Sequence, residues 1–163
     1  MSTKPLLHAF HTASIPKSSV GISEGVLSRV AVLVGRALFA AIFLMSAPEH
    51  FSAKTIGYAA SQGVPFATLL VPFSGVLALL GGLSIIVGYR ARIGAFLIVL
   101  FLIPVTLMMH KFWGIADPTA AQTQMVMFMK NLSMLGAALM ITYFGAGPVS
   151  FDAHRLAQPK QPS

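Results

Sequence analysis

Two cations, Arg36 and Lys130, stand inside apolar stretches long enough to cross a bilayer, and none of the chain's four carboxylates lies within such a stretch. A lysine or arginine at the centre of a membrane helix costs about 2.5 to 3.5 kcal/mol, so each calls for a physical reason. Arg36 presents a planar donor fork suited to an anion, a lipid phosphate or a quinone carbonyl; the simpler reading is that it snorkels to the headgroups. Lys130 has the same two readings, with Asn131 and Ser133 beside it as interhelical hydrogen-bonding groups.

Of the five histidines, His8, His11 and His154 lie in the tails. His50 and His110 fall at the ends of apolar segments, close in depth to Glu49 and Asp117, as a metal or proton-transfer cluster would require. Their spacing matches no metal motif, so no metal site is assigned. Met108, Met109, Met125, Met127 and Met129 crowd the same level as soft thioethers, but methionines at alternating helical positions point to different sides, which favours packing over copper chemistry. No nucleophile motif, phosphate loop or carboxylate pair is present, so the sequence offers no self-sufficient catalytic site.

Positioning these residues falls to the apolar segments. The composition is 56% hydrophobic and only 9% charged over 163 residues, with a mean hydropathy of +0.80. That is a membrane composition, since soluble domains carry about 25% charged residues. Four segments meet the length for a spanning helix, residues 30–47, 65–87, 93–109 and 125–144. With no water in hydrocarbon to satisfy a backbone, each must be helical. The fold class is all-α, an antiparallel bundle of four transmembrane helices.

The joints carry their own signals. Pro48 ends the first segment and Pro65 opens the second, while Gly88, Tyr89, Arg90 and Arg92 make a turn so short that the second and third helices must be antiparallel neighbours. Asp117 followed by Pro118 reads as an N-cap and first helical residue, starting the fourth helix before it enters the bilayer near Met125. Gly145, Gly147 and Pro148 stop it. Residues 51–64 can form a short amphipathic helix on the interface, Phe112 and Trp113 read as belt residues, and Pro104 predicts a kink. Gly75, Ala78 and Gly82 form a small-residue stripe for close helix packing, with Ser133 and Ala137 a similar pair.

The net charge of +7 lies mostly in short flanking segments, the pattern of topology determinants and not of a nucleic-acid groove. Lys4, Lys17, Arg29, Arg90, Arg92, Arg155 and Lys160 fall on one side, against Lys54 and Lys111 beside Glu49 and Asp117 on the other. Both termini are therefore expected in the cytoplasm, with residues 1–25 a polar tail, 26–147 the membrane domain and 148–163 a short tail. Residues 1–25 lack the apolar core of a signal peptide, so the first span is expected to act as its own uncleaved signal. The absence of cysteine means that any redox role must use a bound cofactor or a partner. In an up-down-up-down bundle the fourth helix sits beside the first, which predicts an ion pair between Lys130 and Glu49.

Several stretches resemble the DoxX family of small bacterial four-helix membrane proteins: VGRALFAAIFLMSAPEHF around Arg36, GYAASQGVP, LALLGGLSIIVGYRARIGAFLIVLFLIPVTLMMHKFW and MFMKNLSMLGAALMITYFGAGPVSFD. The resemblance covers nearly everything except the tails. It implies a multi-pass protein of the bacterial inner membrane associated with redox proteins, since one relative is similar to the membrane subunit of a thiosulfate:quinone oxidoreductase. Many relatives carry a glutamate in the second helix where this chain has Ala78, which counts against transferring their proton chemistry. The expected function is a membrane subunit working with redox partners and holding a quinone or similar amphipathic ligand. Its candidate ligand-binding residues are Arg36, Lys130, Asn131, Glu49, His50 and His110. The alternatives are a structural or assembly subunit or, less favoured because four helices leave little room, a transporter formed by an oligomer.

Overall fold

The computed structural model describes residues 20–157; the readings placed on Lys4, His8, His11, Lys17 and Lys160 fall outside them. Four long helices carry the fold: α1 (Val20–Ser46), α3 (Ala67–Val87), α4 (Ala91–Met109) and α5 (Pro118–Phe144). All four are long and apolar enough to span a membrane. Two short helices complete it, α2 (Ala53–Ser61) between α1 and α3 and α6 (Phe151–Ala157) after α5. We call the end that holds the start of α1, the α3–α4 turn and α6 proximal, and the end that holds α2 and the α4–α5 loop distal.

The helix ends follow local chemistry. Pro48 sits at the start of a 3-10 turn, Ala47–Phe51, that closes α1. Ser52 then caps α2, its side chain accepting from the Thr55 N–H at 3.2 Å. Asp117 caps α5 through Ala120 N–H at 2.8 Å, with Pro118 as first helical residue. Gly88 ends α3 at φ 73°, a left-handed conformation open to glycine without penalty. The amphipathic helix expected in residues 51–64 is therefore present as α2, and α5 begins ahead of its apolar stretch.

Packing runs in a row, α1 on α3, α3 on α4 and α4 on α5. Lipid is as apolar as leucine, so such helices are held by close packing and hydrogen bonds more than by exclusion of water. The small-residue stripe supplies that closeness. A Cβ on Gly75 would come within 2.7 Å of His50 Cβ, and one on Gly82 within 2.9 Å of Leu44 Cδ2. Ala78 between them is fully buried. On the other face of α3, a Cβ on Gly81 would lie 2.8 Å from the Gly94 carbonyl, which brings α3 and α4 together near their turn. Phe43, Ile85, Ile98 and Leu102 fill the centre, with Phe101 edge-on to Phe43 at 6.0 Å between ring centroids.

The row corrects one expectation. α5 packs on α4 and makes no extensive contact with α1. Glu49 and Lys130 form no ion pair: Lys130 Nζ lies 3.4 Å from Met127 Sδ, and Glu49 is exposed. Short connections fix each helix next to its sequence neighbour, but nothing in them obliges the first and last to close the ring.

The C-terminal segment is a docked helix as well as a tail. Asp152 donates its N–H to Gly88 O at 2.9 Å. Its carboxylate accepts from the N–H groups of Arg90 at 2.7 Å and Ala91 at 3.0 Å, capping α4 from 61 or more residues away in sequence. Arg90 itself, at φ 48°, provides no side-chain cap.

Candidate functional site

A cavity of about 440 Å³ occupies the distal half of the bundle. All four long helices reach it, α1 through Ile42 and Ser46, α3 through Leu70, Phe73, Ser74 and Leu77, α4 through Phe101, Pro104, Val105 and Met108, and α5 through Lys130, Asn131 and Met134. Tyr58 and Ala59 of α2, with His50 of the 3-10 turn, border it at the distal side. Its size and its apolar wall with a few polar groups are those of a small-molecule site. Pro104 has no N–H, so the Leu100 carbonyl lacks its helical donor, and both residues line the cavity.

Several of its polar groups have a definite hydrogen-bonding state. His50 Nδ1 is 3.0 Å from the Ser46 carbonyl oxygen, which can only accept. Nδ1 therefore carries the proton, and in the neutral ring Nε2 is left as an acceptor. The ring is further fixed edge-on to Phe101 at 5.4 Å. Ser46 and Ser74 donate to carbonyls of their own helices, at 3.2 Å to Phe43 O and 2.7 Å to Val71 O. His110 Nδ1 is bonded to Gln124 Oε1 at 2.9 Å.

Asn131 differs from all of these. It is only 4% exposed, it lines the cavity, and its carboxamide makes no hydrogen bond to any described residue. Its amide atoms are not sealed in the protein but open to the cavity, where a ligand or water with both a donor and an acceptor can bond them. Its neighbour Lys130 is exposed and also lines the cavity, so its ammonium lies between the cavity and the surrounding medium.

The candidates read from sequence thus divide. His50, His110, Lys130 and Asn131 come together around one cavity. Glu49 does not line it. Arg36 lies at the other end of the molecule, 6% exposed, and its fork is occupied by main-chain oxygens. Nη1 donates to Ala146 O at 2.8 Å and Val149 O at 2.7 Å, and Nη2 donates to Ile86 O at 2.9 Å. The arginine that had no acidic candidate in sequence finds main-chain acceptors for both Nη groups where α3 and α5 end, while its Nε is buried without a partner among the described residues. Backbone acceptors carry no residue signature, which is why the sequence did not show them.

Ser46, Tyr58 and Ser74 are cavity residues that the sequence did not single out; hydroxyls are too common in membrane helices to be a signal. Met108, Met109 and Met134 also line it, whereas Met125 and Met129 are exposed. Among the described residues no group of three or more histidines and carboxylates is placed to hold a metal ion. Phe112, Trp113 and Phe128 form an edge-to-face cluster beside the α4–α5 loop.

These features define a multi-pass membrane protein, a four-helix bundle whose distal half holds an apolar cavity with a carboxamide in its wall. Comparison with known proteins gives the family. The DoxX family model matches residues 31–111. The inner membrane protein YqjF of Escherichia coli strain K12 is 30% identical over 132 residues, 77% of this chain and 92% of that protein. The inner membrane protein YphA of the same organism is 29% identical over 98 residues, 60% of this chain and 69% of that protein. The chain belongs to the DoxX family. No solved structure matches it.

Proposed function

We propose that this protein is an inner-membrane subunit, with both termini cytoplasmic, that holds a quinone or similar amphipathic ligand in the distal cavity and serves redox partners. The observation that carries this reading is Asn131, a largely buried residue whose carboxamide makes no hydrogen bond to any described residue and stands in the wall of a largely apolar cavity. An amphipathic molecule with a carbonyl or hydroxyl at one end satisfies the amide while its apolar body replaces lipid against Leu77, Val105 and Met134. His50 Nε2 offers an acceptor to a ligand hydroxyl, and Lys130 offers a charged donor to a ligand oxygen. The relatives are described as inner membrane proteins, and the excess of basic residues in the proximal segments supports the orientation.

The chain has no cysteine, so thiol–disulfide exchange with the ligand is excluded. Electrons would pass between the ligand and a partner. The test is purification from native membranes in mild detergent, followed by organic extraction and identification of what is retained. A stoichiometric quinone or similar amphiphile, lost in Asn131→Leu, is the expected result. A lipid-only extract, identical for wild type and variant, rejects the ligand and favours an assembly role. Solute flux in liposomes that appears only with oligomers supports a transporter in its place.

A further inference from the structure

A second hollow, of about 670 Å³, lies at the proximal end among the start of α4, the end of α5 and α6. Its charged lining is Arg90, Arg92 and Arg155 against a single aspartate, Asp152. That carboxylate is already engaged by two backbone N–H groups of the α4 start. None of the three guanidinium groups hydrogen-bonds to a described residue. The Arg90 and Arg155 heads lie 5.8 and 5.0 Å from the centroid of the Tyr89 ring, and the Arg92 side chain lies alongside Gly145. Exposed Ile93 and Phe144 provide apolar walls.

Arginines that only set topology need to be near the ends of spans and nothing more. Here they converge on one hollow, and Arg90 does so at φ 48°, a conformation uncommon for a long side chain. The hollow sits where α5 leaves its apolar stretch and α4 begins one, which is the headgroup level of a bilayer. Three exposed cations against one engaged anion suit the hollow to a ligand of net negative charge. Planar guanidinium forks match phosphate oxygens two at a time, and apolar walls beside them suit the glycerol and first methylenes of a lipid.

We propose that this hollow binds the phosphodiester headgroup of an anionic phospholipid, with Arg92 and Arg155 as the principal donors and Arg90 closing the third side. Basic pockets at helix ends are a general means of holding such lipids. Binding braces the joint at which Asp152 caps α4, so the lipid stabilises the same end of the bundle that Arg36 ties together. The proposal is independent of the distal cavity and its ligand.

The test uses the full chain in a zwitterionic detergent, with thermal unfolding followed as phosphatidylglycerol, phosphatidylcholine or inorganic phosphate is added. The expected result is saturable stabilisation by phosphatidylglycerol alone, with apparent affinity reduced on the order of tenfold in the double variant Arg92→Gln/Arg155→Gln. Should the double variant fail to fold, Arg92→Gln alone, which removes no hydrogen bond within the described chain, is expected to weaken binding several-fold. Equal stabilisation by phosphatidylcholine overturns the proposal, as does an affinity unchanged in the variants. The same shift from inorganic phosphate without lipid also overturns it, because the ligand would then be free phosphate.

Discussion

The proximal and distal ends of this bundle both place a polar side chain where lipid-facing helices would exclude one, and they use it in opposite ways. Arg36 is 6% exposed and directs three hydrogen bonds at the carbonyls of Ala146, Val149 and Ile86. Asn131 is 4% exposed and directs none at any described residue. Similar burial therefore does not mean similar role. The arginine closes the ends of α3 and α5, where helix termination leaves carbonyls that hydrocarbon cannot satisfy. The asparagine has its bonding capacity left over, at the wall of a cavity.

The largest effect should follow from removing the proximal tie. Arg36→Met leaves three acceptors without their donor and is expected to cost about 2 to 5 kcal/mol, read as loss of folded protein in detergent. Arg36→Lys should recover only part of this, because one ammonium lacks the fork that spans the two sets of carbonyls. Wild-type stability in Arg36→Met would remove the structural half of the comparison.

Gly88→Ala comes next. The φ of 73° disfavours a side chain, and its Cβ would meet Ser150 and both Nη atoms of Arg36. We expect a loss of about 1 to 3 kcal/mol, seen as a lower unfolding temperature. Asp152→Asn keeps the shape of the α4 cap but loses its charge, for an expected cost of about 1 kcal/mol. Limited proteolysis of that variant should show earlier cleavage after α5, since α6 is held by the same residue.

The smallest stability change belongs to Asn131→Leu. Exchanging an unpartnered amide for an apolar group of similar size is expected to leave stability unchanged or raise it by up to about 1 kcal/mol, while retention of the extracted ligand falls. Destabilisation on the scale of the Arg36 variants would show that Asn131 is a structural residue and collapse the distinction between the two ends.

The four spans were legible because apolar runs bounded by proline, glycine and basic residues leave few choices in lipid. The interfacial helix α2, the Asp117 cap and the glycine stop at Gly88 were legible for the same kind of reason, each being a local signal within a few residues. Four of the six candidate site residues do share one cavity, because charges and amides are too costly in a span to be scattered without cause. The Lys130–Glu49 pair was misjudged, and the carbonyl partners of Arg36 were missed, because each depended on what lies beside a helix in space.

By itself, then, the sequence determined that the chain is a helical membrane bundle, where its apolar spans lie and which polar residues sit at spanning depth, though α1 begins at Val20, ahead of the span expected from residue 30. Only the tertiary structure decided that α5 packs on α4 and not on α1, that Asp152 caps a helix far from it in sequence, and that both Nη groups of Arg36 bond to backbone oxygens. Helix formation in lipid is imposed residue by residue through the backbone's need for hydrogen bonds. The partner of a buried polar group is set by how helices meet, and a main-chain carbonyl looks the same in sequence at every residue.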